Sequence, residues 1–248
     1  MRAGDEFTPD ERARLAGVEG RRLVGAVNES LADAGQSYWR EGREARRGEV
    51  FTRVQSELAA ASGLVASRAE LEEVYFKARM SRQRVLPGAL DLLRALAHRG
   101  VKTGLVSNCV FSPEAVDGYL ASRRLRGLFD VVVTSSQVGW RKPRPEPFQA
   151  AVGRLGLTPG DCAFVGDDWD ADVGGALGAG LSALWFWGQH PSLETVPVDE
   201  PHGPGEWPRL ADHPRLAADV AAVGGRLIGA ARTLADVGAL LGAGAPPD

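Results

Sequence analysis

From Leu86 onward, short apolar runs alternate with helical stretches, and this alternation constrains the fold more than any other feature of the 248-residue sequence. After Leu86-Pro87-Gly88, residues 89–98 carry an amphipathic helical stripe closed by Gly100, and residues 101–107 form a short apolar strand. A helix over 113–121 leads to a β-branched strand at 129–134. A helix over 147–155, stopped by Gly156, leads to a strand at 162–166. The small-residue run 170–179, capped by Gly180, reads as a helix and 181–187 as a strand. A loop rich in proline and histidine (191–214) precedes a last edge strand at 226–229 and a helix at 234–241. Short apolar strands separated by helices rather than by tight turns form a parallel sheet with both faces covered. The expected fold is α/β: a doubly wound, Rossmann-like parallel sheet.

The first third is different. Thr8-Pro9-Asp10-Glu11 is a capping box with proline at the first helical position, and apolar residues follow at helical spacing from Leu15 to Leu31, until Gly35. A second helix fits residues 50–61. A third starts at the capping box Ser67 to Glu70 and carries Leu71, Val74, Tyr75 and Ala78 on one face. Residues 1–85 are therefore expected to form a small helical unit, and residues 86–248 the α/β core.

The net charge of −3 argues against a nucleic-acid partner. The one basic cluster, Arg40, Arg43, Arg46 and Arg47, is interleaved with Glu41, Glu44 and Glu49, which predicts a solvated helix face. No apolar window is long enough to span a bilayer, and nothing suggests a membrane surface. Cys109 and Cys162 each sit beside an apolar run, so no disulfide framework is indicated. With no signal-like stretch between Met1 and Asp10, the expected compartment is the cytoplasm. His190, His202 and His213 share one loop without a zinc spacing, and Trp185, Phe186 and Trp187 are expected to cover the sheet edge or line the pocket, with core packing as the favoured role.

Ligands of a doubly wound sheet bind beyond the carboxyl ends of its strands, so the polar residues there are the ones to read. The strand ending at residue 107 supplies Ser107-Asn108, a hydroxyl and turn amides suited to phosphate oxygens. The strand ending at residue 166 supplies Asp167, Asp168, Asp170 and Asp172. Carboxylates this crowded repel one another, and oxygen ligands of this kind suit magnesium. Asp168 and Asp170 read as helix N-terminal acids, whereas Asp167 and Asp172 can face one point above the sheet. Between the two strands, prolines on both sides of Arg144 hold the chain extended and fix Lys142 as a counter-charge for an anion.

Together these pieces resemble the haloacid dehalogenase superfamily. Leu105-Val106-Ser107-Asn108 is similar to its second motif, whose serine hydrogen-bonds the transferring phosphoryl group. Val138 to Pro143, continuing to Phe148, resembles its third, whose lysine neutralises phosphate and nucleophile. Phe164-Val165-Gly166-Asp167 through Asp172, followed by Gly175-Ala176 and Ala179-Gly180, resembles its fourth, whose acids hold magnesium. The resemblance runs in order from Leu86 to Gly229. It implies a magnesium-dependent phosphatase acting on a small phosphorylated metabolite through an aspartyl-phosphate. Ser107 and Lys142 would be its catalytic groups, Ser107, Asn108 and Lys142 would bind substrate, and Asp167 and Asp172 would hold Mg2+. The helical unit 1–85 would be the inserted cap. The superfamily's dehalogenases fit less well, because the acidic fourth motif favours a metal and hence phosphate. Arg144 departs from the family, which often has an acid after the Lys-Pro pair.

The larger departure is the first motif, a strand followed by Asp-x-Asp-x-Thr/Val that supplies the nucleophile and the general acid-base. Asp5-Glu6-Phe7-Thr8 has the wrong spacing and no strand before it, and Asp168-x-Asp170 belongs to the fourth motif. Three expectations follow. The gene product starts upstream and is an ordinary phosphatase; or this is a nucleophile-free relative that binds a phosphorylated ligand or a partner; or a protein partner supplies the missing strand. The strand belongs at the centre of the sheet, so its neighbours should either stand apart or close with distortion.

Overall fold

The structure, a computed structural model, describes residues 25–29, 41–62, 66–81, 83–186, 227–231 and 233–242. The helix expected from Thr8 lies outside them except for helical residues 25–29, as do loop 191–214, Trp187 and the histidines at 190, 202 and 213. In order, the elements are α1 (Arg47–Ser62), α2 (Arg68–Met80), α3 (Ala89–His98), β1 (Gly104–Ser107) and α4 (Pro113–Ser122). Then come β2 (Val131–Thr134), the single turn α5 (Ser135–Val138), α6 (Pro145–Leu155) and β3 (Ala163–Gly166). A wide turn over Trp169–Gly174 leads into α7 (Gly175–Gly178), followed by β4 (Ser182–Phe186), β5 (Leu227–Ala231) and α8 (Leu234–Leu240).

Every strand pairing is parallel, as the alternation of strands and helices requires. β4 shows why both faces must be covered. Ala183 and Trp185 pack with Phe148, Val152 and Val173 on one side, while Leu184 and Phe186 pack with Ala231 and Val237 on the other. Successive side chains of a strand point to opposite faces, so a strand apolar throughout needs helices on both. Trp185 and Phe186 are thus core residues, each 7% exposed.

Among the described residues the sheet is in two halves, β1–β2 and β3–β4–β5, and no ladder joins β1 to β3.

The helical unit has a core of its own. Ser67 accepts a hydrogen bond from the Glu70 amide at 3.2 Å, and the Glu70 carboxylate accepts from the Ser67 amide at 2.8 Å, so the capping box starts α2 as read. Leu71, Val74 and Tyr75 then meet Val50, Phe51 and Val54 of α1, with Phe51 and Leu71 fully buried. Burying each of those side chains contributes about 1.5–3 kcal/mol.

Three local expectations are corrected. β1 begins at Gly104, not at residue 101, because Thr103 is taken by side-chain bonds: its amide donates to Asp130 at 2.7 Å and its hydroxyl to the Leu128 carbonyl at 2.6 Å. The helix expected over 170–179 opens as a wide turn, in which the amides of both Asp172 (2.9 Å) and Val173 (3.2 Å) donate to the Asp168 carbonyl. The basic cluster is not one solvated helix face. Gly42, at φ 73°, turns the chain so that residues 43–46 lie outside α1, and Glu44 is only 6% exposed.

Close approach of α7 to the loop at residue 143 depends on Gly175, where a Cβ would sit 2.8 Å from Pro143 Cα and from the Phe148 ring. Backbone cannot swing aside as a flexible side chain can. Gly175→Ala should therefore destabilise the protein by about 1–3 kcal/mol in urea or thermal unfolding. An unchanged unfolding midpoint would contradict this packing.

Candidate functional site

Lys142 lies where the two half-sheets face each other. Its main chain is clamped by the Asn108 side chain, whose Oδ1 accepts from the Lys142 amide at 2.8 Å and whose Nδ2 donates to the Lys142 carbonyl at 3.0 Å. Its ammonium donates to the Val106 carbonyl of β1 at 3.0 Å and pairs with Asp172 Oδ1 at 2.6 Å. The Phe164 ring of β3 lies under it, 5.1 Å from the centroid. An ammonium has three donors, and two are used here. One donor of a cation whose side chain is only 10% exposed is left without an acceptor among the described residues.

Asp172 is the other end of this arrangement. The wide turn brings its carboxylate back over the end of β3, where Oδ2 accepts from the amides of Asp167 (3.1 Å) and Asp168 (3.2 Å). Gly166 makes the approach feasible, since any Cβ there would overlap the Asp172 carboxylate. Asp168 accepts from the Ala171 amide at 2.8 Å and caps the turn, the N-terminal role expected of it. Asp167 is exposed; the Trp185 indole holds its carbonyl at 3.1 Å, while its carboxylate has no partner among the described residues. Ser107 ends β1 beside Asn108, and its hydroxyl is likewise without a partner among the described residues.

These residues offer magnesium part of a ligand set. No three carboxylate, histidine or cysteine side chains among the described residues come together as a metal cluster. Of the two acids read as metal ligands, Asp172 is closed on Lys142 and two amides, which leaves Asp167 free among the described residues. Magnesium is commonly held by one or two carboxylates with water and a phosphate supplying the rest, and Asp167 fits that restricted mode.

One buried acid escaped the sequence reading. Glu44 accepts from Arg141 Nη1 at 2.7 Å, from the Ser135 hydroxyl, and from the Ala45 amide at 2.9 Å. Ser135 Oγ in turn accepts from the Cys109 amide at 2.7 Å. Two backbone bonds run alongside, Arg141 N to Gly42 O at 2.7 Å and Glu44 N to Gly139 O at 3.0 Å. The strap of residues 42–45 is thus fastened to the loop that carries Lys142. Gly42 was the one available signal, since a glycine there can turn the chain just ahead of Glu44.

Cys109 could be considered a substitute nucleophile. Burial pushes its thiol above the usual range, and the nearby Glu44 adds to that against an opposing backbone hydrogen bond at Phe111. The thiol is therefore protonated and unreactive at neutral pH. Cys162 is raised as well, by burial and then by Asp161.

Beyond Ser107 and Asn108 a cavity of about 670 Å³ opens between α2 and α4. A parallel sheet with polar residues at its strand ends, a lysine–aspartate pair and a cavity beside the helical unit define a doubly wound, Rossmann-like α/β protein with a site at the strand ends. Residues 9–180 match the haloacid dehalogenase-like hydrolases, and the chain belongs to that family. It is 34% identical over 146 residues to the phosphoserine phosphatase of Thermus thermophilus, covering 58% of this chain and 57% of that one. The chain thus spans a little over half the length of that relative. A haloacid dehalogenase-family phosphatase from Thermococcus onnurineus superposes with a TM-score of 0.53 at 22% identity, over 95% of this chain and 94% of that one. The 2-haloacid dehalogenase of Pseudomonas syringae pv. Tomato DC3000 does so with 0.57 at 18% identity, over 94% and 85%. These two likenesses show the fold alone. No helix among the described residues is long and apolar enough to cross a membrane.

Two outcomes follow. Glu44→Ala should lower stability by about 3 kcal/mol in urea unfolding, since it strands Arg141 and Ser135, and Glu44→Gln should lose less because the amide oxygen still accepts. A loss under about 0.5 kcal/mol for the alanine variant would show that the strap is held otherwise. Cys109 should react with iodoacetamide at pH 7.5 at least about tenfold more slowly than an unfolded cysteine, and unfolding in urea should abolish the protection; equal rates in the two states would refute this.

Proposed function

We propose that the chain binds phosphate esters of small metabolites at Ser107, Asn108 and Lys142, in the manner of the family's phosphatases, and does not turn them over with the residues described. The observation that carries this reading is Lys142. It is a nearly buried cation, locked by Asn108, Val106 and Asp172, with one N–H unmet among the described residues, and it bonds the carbonyl of the residue before Ser107, whose hydroxyl has no partner among them. An anion in reach of both would satisfy a donor that burial otherwise leaves costly. The phosphoserine phosphatase relative supports the phosphoryl class over the halide class, since the dehalogenase likeness is one of fold only.

Phosphatases of this family generally depend on magnesium. In this chain Asp167 would hold the ion, with Asp172 fixed behind it, and the metal would supply charge neutralisation of the phosphate oxygens. The chain's own residues do the rest. Lys142 neutralises the anion from the side of β3, Ser107 donates to a phosphate oxygen, and Asn108 keeps the lysine loop against β1. Attack on phosphorus needs a carboxylate facing Lys142; Asp172 is engaged on both oxygens, Asp168 caps a turn, and Asp167 is taken by the role proposed for it at the metal.

A panel of phosphomonoesters tested on the 248-residue chain should show binding without turnover above background. Affinity should fall at least about tenfold in Lys142→Ala, and magnesium should strengthen it only while Asp167 is present. Turnover abolished by Asp167→Ala would overturn the reading, as would phosphate affinity indifferent to Lys142.

A further inference from the structure

The cavity beyond Ser107 has walls unlike its floor. Phe76 of α2, Phe111 of the β1–α4 connection and Tyr119 of α4 form an aromatic trio, with Phe76 edge-on to Phe111 at 4.8 Å and to Tyr119 at 6.4 Å. All three rings are only half-buried and line the cavity. Met80, one turn beyond Phe76 on the same face of α2, continues this wall. Two polar pairs of the lining are committed to each other. Glu44 pairs with Arg141 at 2.7 Å, and the Tyr75 hydroxyl donates to Asn28 at 3.0 Å. Arg79 and Gln83 are exposed and belong to the rim.

We infer that this cavity is a binding site for the organic part of an aryl or similarly planar, apolar phosphate ester, its phosphoryl end at Ser107 and its ring against Phe76, Phe111 and Tyr119. The inference rests on the reading of Ser107 and Lys142 as the phosphate end. A hydroxyl-rich ester would bring donors and acceptors to walls whose polar groups are already paired, and each unmet group would count against it. A planar apolar group covers surface that is otherwise half-wet, and rings at these separations accept a further ring edge-on or offset.

The test compares phenylphosphonate with methylphosphonate, two non-hydrolysable probes with the same anionic head, by calorimetry on the full chain. Phenylphosphonate should bind at least about tenfold tighter, the order expected from covering one ring's apolar surface. Phe76→Leu and Tyr119→Leu should each erase most of that preference while leaving methylphosphonate affinity within about twofold, and Lys142→Ala should weaken both probes alike. Circular dichroism identifies a variant that fails to fold, and the other then carries the comparison. Equal affinity for the two probes, with Lys142 dependence intact, overturns this inference and spares the phosphate reading. A phenyl preference untouched by both leucine variants places the ring elsewhere and also overturns it. Absence of binding by either probe removes the phosphate reading and this inference with it.

Discussion

The ion pair between Lys142 and Asp172 is the contact on which the arrangement of the core depends. β1 and β3 share no ladder among the described residues, yet the Lys142 ammonium bonds a β1 carbonyl and a carboxylate fixed at the end of β3. One side chain therefore ties β1 to the end of β3, between which no ladder runs among the described residues. Both partners are at least nine-tenths buried at the side chain, so neither charge is solvated enough to stand alone. The geometry satisfies them almost completely: Asp172 accepts from Lys142 and two amides, and Lys142 meets Asp172, Val106 and the Phe164 ring. Small residues are the precondition. Gly166 lets the Asp172 carboxylate lie over the strand end, and Gly175 lets α7 rest on the backbone of the lysine loop.

The same loop is gripped from its other side. Arg141, adjacent to Lys142, is held by Glu44 from the strap that precedes α1, while Asn108 holds Lys142 from the end of β1. The helical unit thus reaches the lysine loop through one buried charge pair and two backbone bonds, in addition to the apolar contact of Tyr75 and Phe76 with Phe111. A shift of the strap would move Arg141 and, with it, the residue next in sequence. The cavity between α2 and α4 is lined in part by Glu44, Arg141 and Asn108, so its polar floor is positioned by the same two sets of bonds.

Much of this was written locally. Apolar runs separated by helices gave parallel pairing of the strands, the Ser67 capping box gave the start of α2, and the alternation of Ala183, Leu184, Trp185 and Phe186 gave a strand covered on both faces. These are legible because each depends on residues near one another in sequence and on a fixed period. The positions of Ser107 and Asp167 were also legible, since each stands at or just beyond the end of a strand whose type the pattern sets. Asp168 was read correctly as a cap for the same reason.

What tertiary structure decided lies in contacts between distant segments. In sequence Glu44 is one acid in a charged run. It is buried only because Arg141 and Ser135, ninety or more residues away in the chain, fold against it. Asn108 looks like a turn residue, and only the approach of the lysine loop turns its side chain into a clamp. The division of the four aspartates likewise required the fold. Spacing alone shows a crowded acidic turn, whereas the wide first turn after Asp168 determines that Asp172 points inward to Lys142 and Asp167 outward. The sequence by itself determined the parallel α/β order and the residues placed at its strand ends, because local periodicity sets those. Which acid is paired, which is free and what holds the lysine were decided by long-range packing, because a charge is committed only once burial has removed water as its alternative partner.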